Sequence, residues 1–431
     1  MTTAVHPYIE ALLHGSADTA HGPHAWLNER RAHALERANA LAVPTTRDED
    51  WRFTDLTPLM RIRFGKPGAA AVPQLSDVEP WFLPEATARL VFVDGRYAPQ
   101  WSTPAHGGAI GVNPLAAALR EPSGVTDGTL ARLARFEGRV FTALNTAHLH
   151  DGAYVHAAKN AGEGTVVHVL FISTQPETVS HPRCLVELES GAQCTLVEDY
   201  VSLGAGAAFA NAVTEIAVAP NARLHHVRLQ RQNRESYHIA HCAVSLAKDA
   251  AYVSQSITLG ARISRYDLEV AQNGEGAEAT LDGLALVAGR QLADTHTTMD
   301  HATPHGRSRQ LHKTIAGDGA HAVFSGKVVV RPGAQLIDSA QESRNLLLSD
   351  KARVDTKPQL EIYADDVKCS HGATVGQLEL DQLFYLKSRG LPDALARSVL
   401  TYAFGAQVIE RIPVPSVVRE LERAVLEQTG V

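Results

Sequence analysis

The sequence predicts a mainly β protein: a parallel β-helix core flanked by N-terminal and C-terminal helical regions. Three observations carry this. From about residue 153 to 370, apolar residues alternate and Gly, Asn and Asp punctuate them. Within that stretch a short unit recurs, with apolar residues six and four before an alanine and a turn residue just before it. The composition pairs 32 Gly and 21 Pro with only 6% aromatics, which suits tight corners around a narrow interior.

The length of 431 residues allows about three domains. With 45% hydrophobic and 20% charged residues the chain can bury a sizeable core, which excludes a mostly disordered protein. A formal net charge of −7 gives no electrostatic case for binding nucleic acid or an anionic membrane. The N-terminus, Met1-Thr2-Thr3-Ala4-Val5-His6, has no basic region followed by an apolar run, so no secretory signal is expected. No stretch approaches the ~20 apolar residues of a membrane span. Cys184, Cys194, Cys242 and Cys369 form no C-x-x-C pair and are expected to be free thiols in a reducing, cytoplasmic setting.

The elements follow in chain order as region 1–150, helical and mixed; core 151–376; and helical region 377–431. Trp26 to Leu41 carries Leu27, Ala34, Leu35, Ala38 and Leu41 on one helix face and stops before Pro44. Residues 66–80 read as a Pro/Gly/Ala linker, and Leu90-Val91-Phe92-Val93-Asp94-Gly95 as a strand entering a turn. A helix is expected over 129–147, with Leu130, Leu133, Phe136 and Leu144 on one stripe.

In the core, the corner alanines are Ala192, Ala222, Ala250, Ala334 and Ala352, with weaker copies at Ala320 and Ala277. The first three are 30 and 28 residues apart, and Ala320, Ala334 and Ala352 are 14 and 18 apart. Strand, tight corner and strand, stacked in coils, bury a continuous core. The competing β-sandwich needs regular hairpins, yet Asn-Gly in a hairpin setting occurs only at Asn273-Gly274. In the tail, Leu378 to Lys387 leads to a stop at Gly390, Pro392 takes an N1 position, and the next helix runs to about Arg411. A last helix starts near Ser416 as N-cap, its apolar face of Val417, Leu421 and Val425 packing on the solenoid or on a partner.

No G-x-x-x-x-G-K-[ST], G-x-S-x-G or H-E-x-x-H motif is present, so P-loop ATPase, α/β-hydrolase and zincin chemistry are not indicated. His225-His226, His238-x-x-His241-Cys242 and His296/His301/His305 supply metal-ligand residue types. Strand neighbours three apart face opposite ways, so His238 and His241 do not readily share one ion, and surface or core histidines are expected in all three clusters. Cys369 and His371 differ: two apart on a strand, they share a face, and thiolate plus imidazole suits iron or another borderline-soft metal, the alternative being a buried thiol and a hydrogen-bonding histidine in the last coil. Two ligands do not complete a site, so the others come from elsewhere in the chain or from another chain.

Lys368-Cys369-Ser370-His371-Gly372-Ala373-Thr374-Val375-Gly376, followed by Leu383-Phe384-Tyr385-Leu386-Lys387-Ser388-Arg389-Gly390-Leu391, resembles the SufB/SufD family of iron–sulfur cluster assembly proteins. Asp48-Glu49-Asp50-Trp51-Arg52-Phe53-Thr54-Asp55-Leu56, Leu144-Asn145-Thr146-Ala147 and Pro358-Gln359-Leu360-Glu361-Ile362 fit it too, so the match spans most of the chain. The Cys-Ser-His-Gly-Ala-Thr form resembles the SufD branch rather than SufB. The resemblance implies a right-handed parallel β-helix and a non-catalytic scaffold subunit. SufB would meet the last coils, and the ATPase SufC would meet the helices at about 378–428. It implies that Cys369 and His371, with His371 favoured, match candidate assembly residues at the SufB interface. There, iron, sulfide or a cluster is held transiently and no cofactor tightly. An isolated chain forming a homodimer is compatible with it. The rival readings are a β-helix carbohydrate-active enzyme, for which Asp365-Asp366 is the best local acidic pair, and a homo-oligomeric structural protein.

Overall fold

The computed structural model describes residues 7–13, 24–68, 73–105, 108–121 and 128–428. The Met1–His6 segment and part of the expected 66–80 linker lie outside the described residues. The chain opens with α1 (Pro7–Leu13), α2 (Ala25–Ala40), α3 (Thr57–Met60) and α4 (Leu75–Val78). β1 (Ala88–Val93), β2 (Arg96–Tyr97), β3 (Ile110–Pro114), α5 (Leu115–Ala118) and α6 (Val140–Ala147) follow. β4 (Ala153–Ala157), β5 (Val166–Ser173), β6 (Val179–Ser180) and β7 (Arg183–Leu188) lead into the regular coils. These are β8 (Gln193–Ser202), β9 (Phe209–Val218), β10 (Arg223–Arg231), β11 (Tyr237–Leu246), β12 (Ala251–Thr258), β13 (Ile263–Gln272) and β14 (Glu278–Val287). β15 (Leu292–His301), β16 (Arg307–Ala316), β17 (His321–Val330), β18 (Ile337–Leu347), β19 (Arg353–Ile362) and β20 (Val367–Gly376) complete them. α7 (Leu380–Ser388), α8 (Asp393–Ile409) and α9 (Pro415–Gln428) close the chain.

Two sheets of ten strands face each other, and from β8 the chain alternates between them. Each coil contributes one strand to each sheet. Arg223 pairs with Gln193 and Ala251 with Arg223, so one coil takes the same 30 and 28 residues that separate the corner alanines. All pairing among strands β4 to β20 is parallel, which rules out the hairpin sandwich. Asn273-Gly274 is a coil corner rather than a hairpin turn.

The corners work through backbone conformation. Gly191, Asn221, Asp249 and Gly276 each precede a corner alanine with φ of +72°, +61°, +54° and +73°. Gly, Asn and Asp adopt that region with least strain. Successive corners stack through hydrogen bonds from Gly191 N to Pro220 O, Asn221 N to Lys248 O and Asp249 N to Glu275 O, each 2.9–3.0 Å. The alanines point inward, where a larger side chain would meet the coils on either side; Ala192, Ala222, Ala250, Ala277, Ala320 and Ala334 are wholly buried.

The interior is lined by small aliphatic side chains, with Tyr252 and Tyr266 among the few rings. The outer face of the second sheet is covered by α1, α2 and α6 against Phe209, Tyr237, Ile239 and Ile263. The outer face of the first is covered by α8 and α9: Ile409, Val417, Leu421 and Val425 pack on Val227, Leu229, Ile257 and Leu284. The apolar face of the last helix therefore packs within the chain.

Four local expectations change. Residues 128–139 are turns, not the first half of a 129–147 helix, and Ala131 has φ +57°. Their amides point at a buried carboxylate instead of up a helix, as described below. Residues 75–81 form helical turns with Val78 buried, not linker. Pro392 is the N-cap of α8 rather than N1. α9 begins at Pro415, so Ser416 is not an N-cap; its N–H and hydroxyl donate to the Glu85 carboxylate at 2.9 and 2.5 Å.

Candidate functional site at the open end of the solenoid

β20 is the edge of the first sheet, paired only with β18. Parallel register sets Ser339 beside Cys369 and Gln341 beside His371. Ser339, Gln341 and Ser343 are buried on the inner face, so Cys369, His371 and Ala373 share that face, as the i, i+2 spacing requires. No coil follows, so inner positions of this last strand open to solvent. Cys369 stays half-buried against the interior core beside Leu360 and Val367, while His371 is exposed. Burial pushes the Cys369 thiol above its ordinary range, so a metal ion bound there must displace a proton. Among the described residues no group of three His, Cys, Asp or Glu side chains could hold a metal ion. The pair is therefore an incomplete set of two donors. Around it Ile362, Tyr363 and Val375 are exposed among polar residues, beside the free backbone edge of β20. Such an edge offers unpaired N–H and C=O groups to a further strand.

The histidine clusters are dispersed. His226 lies inside, its ring 2.9 Å from Tyr252 Oη and 3.1 Å from Glu198, whereas its neighbour His225 faces outward to Gln255. His238 is interior, 2.8 Å from Gln232, and His241 is on the outer face between Thr142 and Glu269. His296 pairs with Asp294 at 2.9 Å, His301 lies 2.6 Å from Gln272, and exposed His305 faces Glu275. Cys184, Cys194 and Cys242 are buried free thiols, and burial raises all three, Cys194 to about 12.

The Asp48–Leu56 motif clips the N-terminal region onto the second sheet. Arg265 stacks over Trp51 with its guanidinium 4.2 Å from the ring centre, donates to Asp50 O at 2.6 Å, and pairs with Asp294 at 2.6 Å. Thr54 donates to the same Asp294. Burial alone would raise the Asp294 carboxyl; Arg265, His296 and Thr54 together outweigh it and hold the group at about 2. Sequence reasoning missed the groups of this kind, because charges inside apolar runs have no local partner: Glu215, Glu198, Arg183 and Arg228 are all buried. Their one visible signal is position, since Glu215 falls within the apolar strand of β9.

A second exposed surface lies on α7. Leu383 is buried, but Leu380, Phe384 and Tyr385 are 78%, 74% and 57% exposed, and Leu395 and Val399 of α8 are partly exposed as well. No helix among the described residues is long and apolar enough to cross a membrane.

Residues 171–404 match the family described as SUF system FeS cluster assembly, SufBD core domain, and residues 4–169 match the SufBD protein N-terminal region. An iron–sulfur cluster assembly SufBD family protein of Synechocystis sp. is 38% identical over 96% of this chain and 93% of its own length. The iron–sulfur cluster assembly protein SufD of Escherichia coli is 35% identical over 88% of this chain and 87% of its own length. The chloroplastic protein ABCI7 of Arabidopsis thaliana is 31% identical over 86% of this chain and 79% of its own length.

Proposed function

The chain belongs to the SufBD family of SUF iron–sulfur cluster assembly proteins, and from that premise we propose that it is a non-catalytic scaffold subunit of a cluster-assembling complex. The observation that carries this reading is the open coil end, where Cys369 and His371 share the inner face beside an unpaired strand edge. Two donors at an uncapped coil end fit a site completed by a second chain. In this reading the second chain is a SufB-type β-helix that extends the sheet from β20 and supplies the remaining ligands. His371, exposed and free of any need to lose a thiol proton, is the leading ligand. Iron, sulfide or a nascent cluster is the cargo and is held only transiently. The ATPase, SufC, docks on the exposed face of α7 and α8. Its nucleotide-driven movement reaches the open end through α8, which packs on β14 and β16.

The test is His371→Ala in cells that depend on this system for cluster supply. Loss of cluster delivery is expected with the protein at normal level, because the exposed side chain contributes little to folding. Undiminished delivery would sink the site assignment.

A further inference from the structure

Gln310, Gln341 and His371 sit at paired positions on β16, β18 and β20, so their side chains form one inward column. Neighbouring strands are about 4.8 Å apart, which sets the Gln341 amide one strand spacing behind the imidazole. Gln341 is 2% exposed, and neither its Oε1 nor its Nε2 has a hydrogen-bond partner. Gln310 differs, since its Oε1 accepts from Thr297 at 2.8 Å. On the facing sheet Gly326 makes room for the Gln341 amide: a Cβ there would collide with Nε2. An unpartnered buried amide is destabilising, and a leucine would remove that penalty. Here the amide is nonetheless kept, cradled against Gly326 and one strand spacing behind His371.

We infer that Gln341 is a positioning residue for His371. Its amide oxygen accepts the N–H of the ring nitrogen turned into the solenoid through one bridging water. That leaves the lone pair of the other nitrogen facing the open end. Imidazoles that bind a metal through one nitrogen use the other as a donor, and the acceptor sets tautomer and ring orientation. This assignment rests on the reading of His371 as a ligand.

Nitrogen-15 NMR of the full chain with labelled histidine tests it at about pH 9, where imidazoles are neutral. The His371 signal is identified by its loss in His371→Ala. One tautomer dominates in the native chain. Gln341→Leu moves the ratio about fivefold toward the other tautomer, the size one neutral hydrogen bond supplies. Gly326→Ala, which displaces the amide without removing it, moves the ratio the same way and decides the matter alone if Gln341→Leu does not fold. An unchanged ratio in folded variants overturns the assignment. Normal cluster delivery by His371→Ala rejects the ligand reading instead, whatever the Gln341 spectra show.

Discussion

Glu215 on β9 and Arg183 on β7 form an ion pair with both side chains wholly out of solvent. The same carboxylate accepts the backbone N–H groups of Ala131, Arg132, Leu133 and Ala134 at 2.8–3.0 Å. Arg183 also donates to Asn145 Oδ1 at 3.0 Å and Thr146 Oγ1 at 3.3 Å. One buried carboxylate thus organises residues 131–134 and holds them, with α6, against the second sheet. Glu215→Ala leaves the buried Arg183 guanidinium without its charge partner and four amides without their acceptor, and is expected to destabilise the chain by about 3–5 kcal/mol. Denaturant unfolding measures this, and hydrogen exchange at 131–134 should accelerate in parallel. A loss below about 1 kcal/mol would show that the network is dispensable.

Lys313 tests the docking of α8. Its ammonium donates to Phe404 O at 2.7 Å, and burial lowers its pKa from 10.5 to about 8. Between those values the unfolded chain holds the proton that the folded chain has released, so this group makes stability rise with pH. Below about pH 8 both states are protonated, and the folded state carries the burial penalty in full. Lys313→Met should therefore compare more favourably with the native chain at about pH 7 than at about pH 10. Urea unfolding at the two pH values reads the difference, and equal differences at both would contradict the assignment.

Gly274 turns the corner after β13. A Cβ there would collide with the backbone of Ala247 and Lys248 in the preceding coil. Backbone cannot swing aside as a side chain does, so Gly274→Ala should cost about 1–3 kcal/mol by overpacking. Gly164, with nothing within 4 Å but φ +73°, offers a control in which only backbone strain acts. Thermal melts of the two variants separate crowding from strain.

Phe384 lies 74% exposed on α7. Phe384→Asp should leave unfolding free energy within about 0.5 kcal/mol of the native value, while abolishing co-purification with the ATPase of the proposed complex. Retained co-purification would remove α7 from the proposed interface. Point substitutions are the better test than deleting residues after 378, since that cut would strip α8 and α9 from the core they cover.

The periodic part of this protein is legible in its residues alone. Strand alternation, corner alanines behind Gly, Asn or Asp, and the shared face of Cys369 and His371 are local rules repeated coil after coil, so each is legible from a few neighbouring residues. The solenoid followed from them, and so did the dispersal of the histidine clusters. The rest depends on contacts made across the fold. The stripe of Leu130, Leu133 and Phe136 reads as helix until Glu215, more than 80 positions on, claims the amides of 131–134. Ser416 reads as an N-cap until Glu85 reaches it from the other end of the chain. Gln341 looks like any polar strand residue until Gly326 on the opposite sheet leaves its amide a place behind His371. In each case a buried polar group has to find its partner across the fold, and no sequence period records which one it meets.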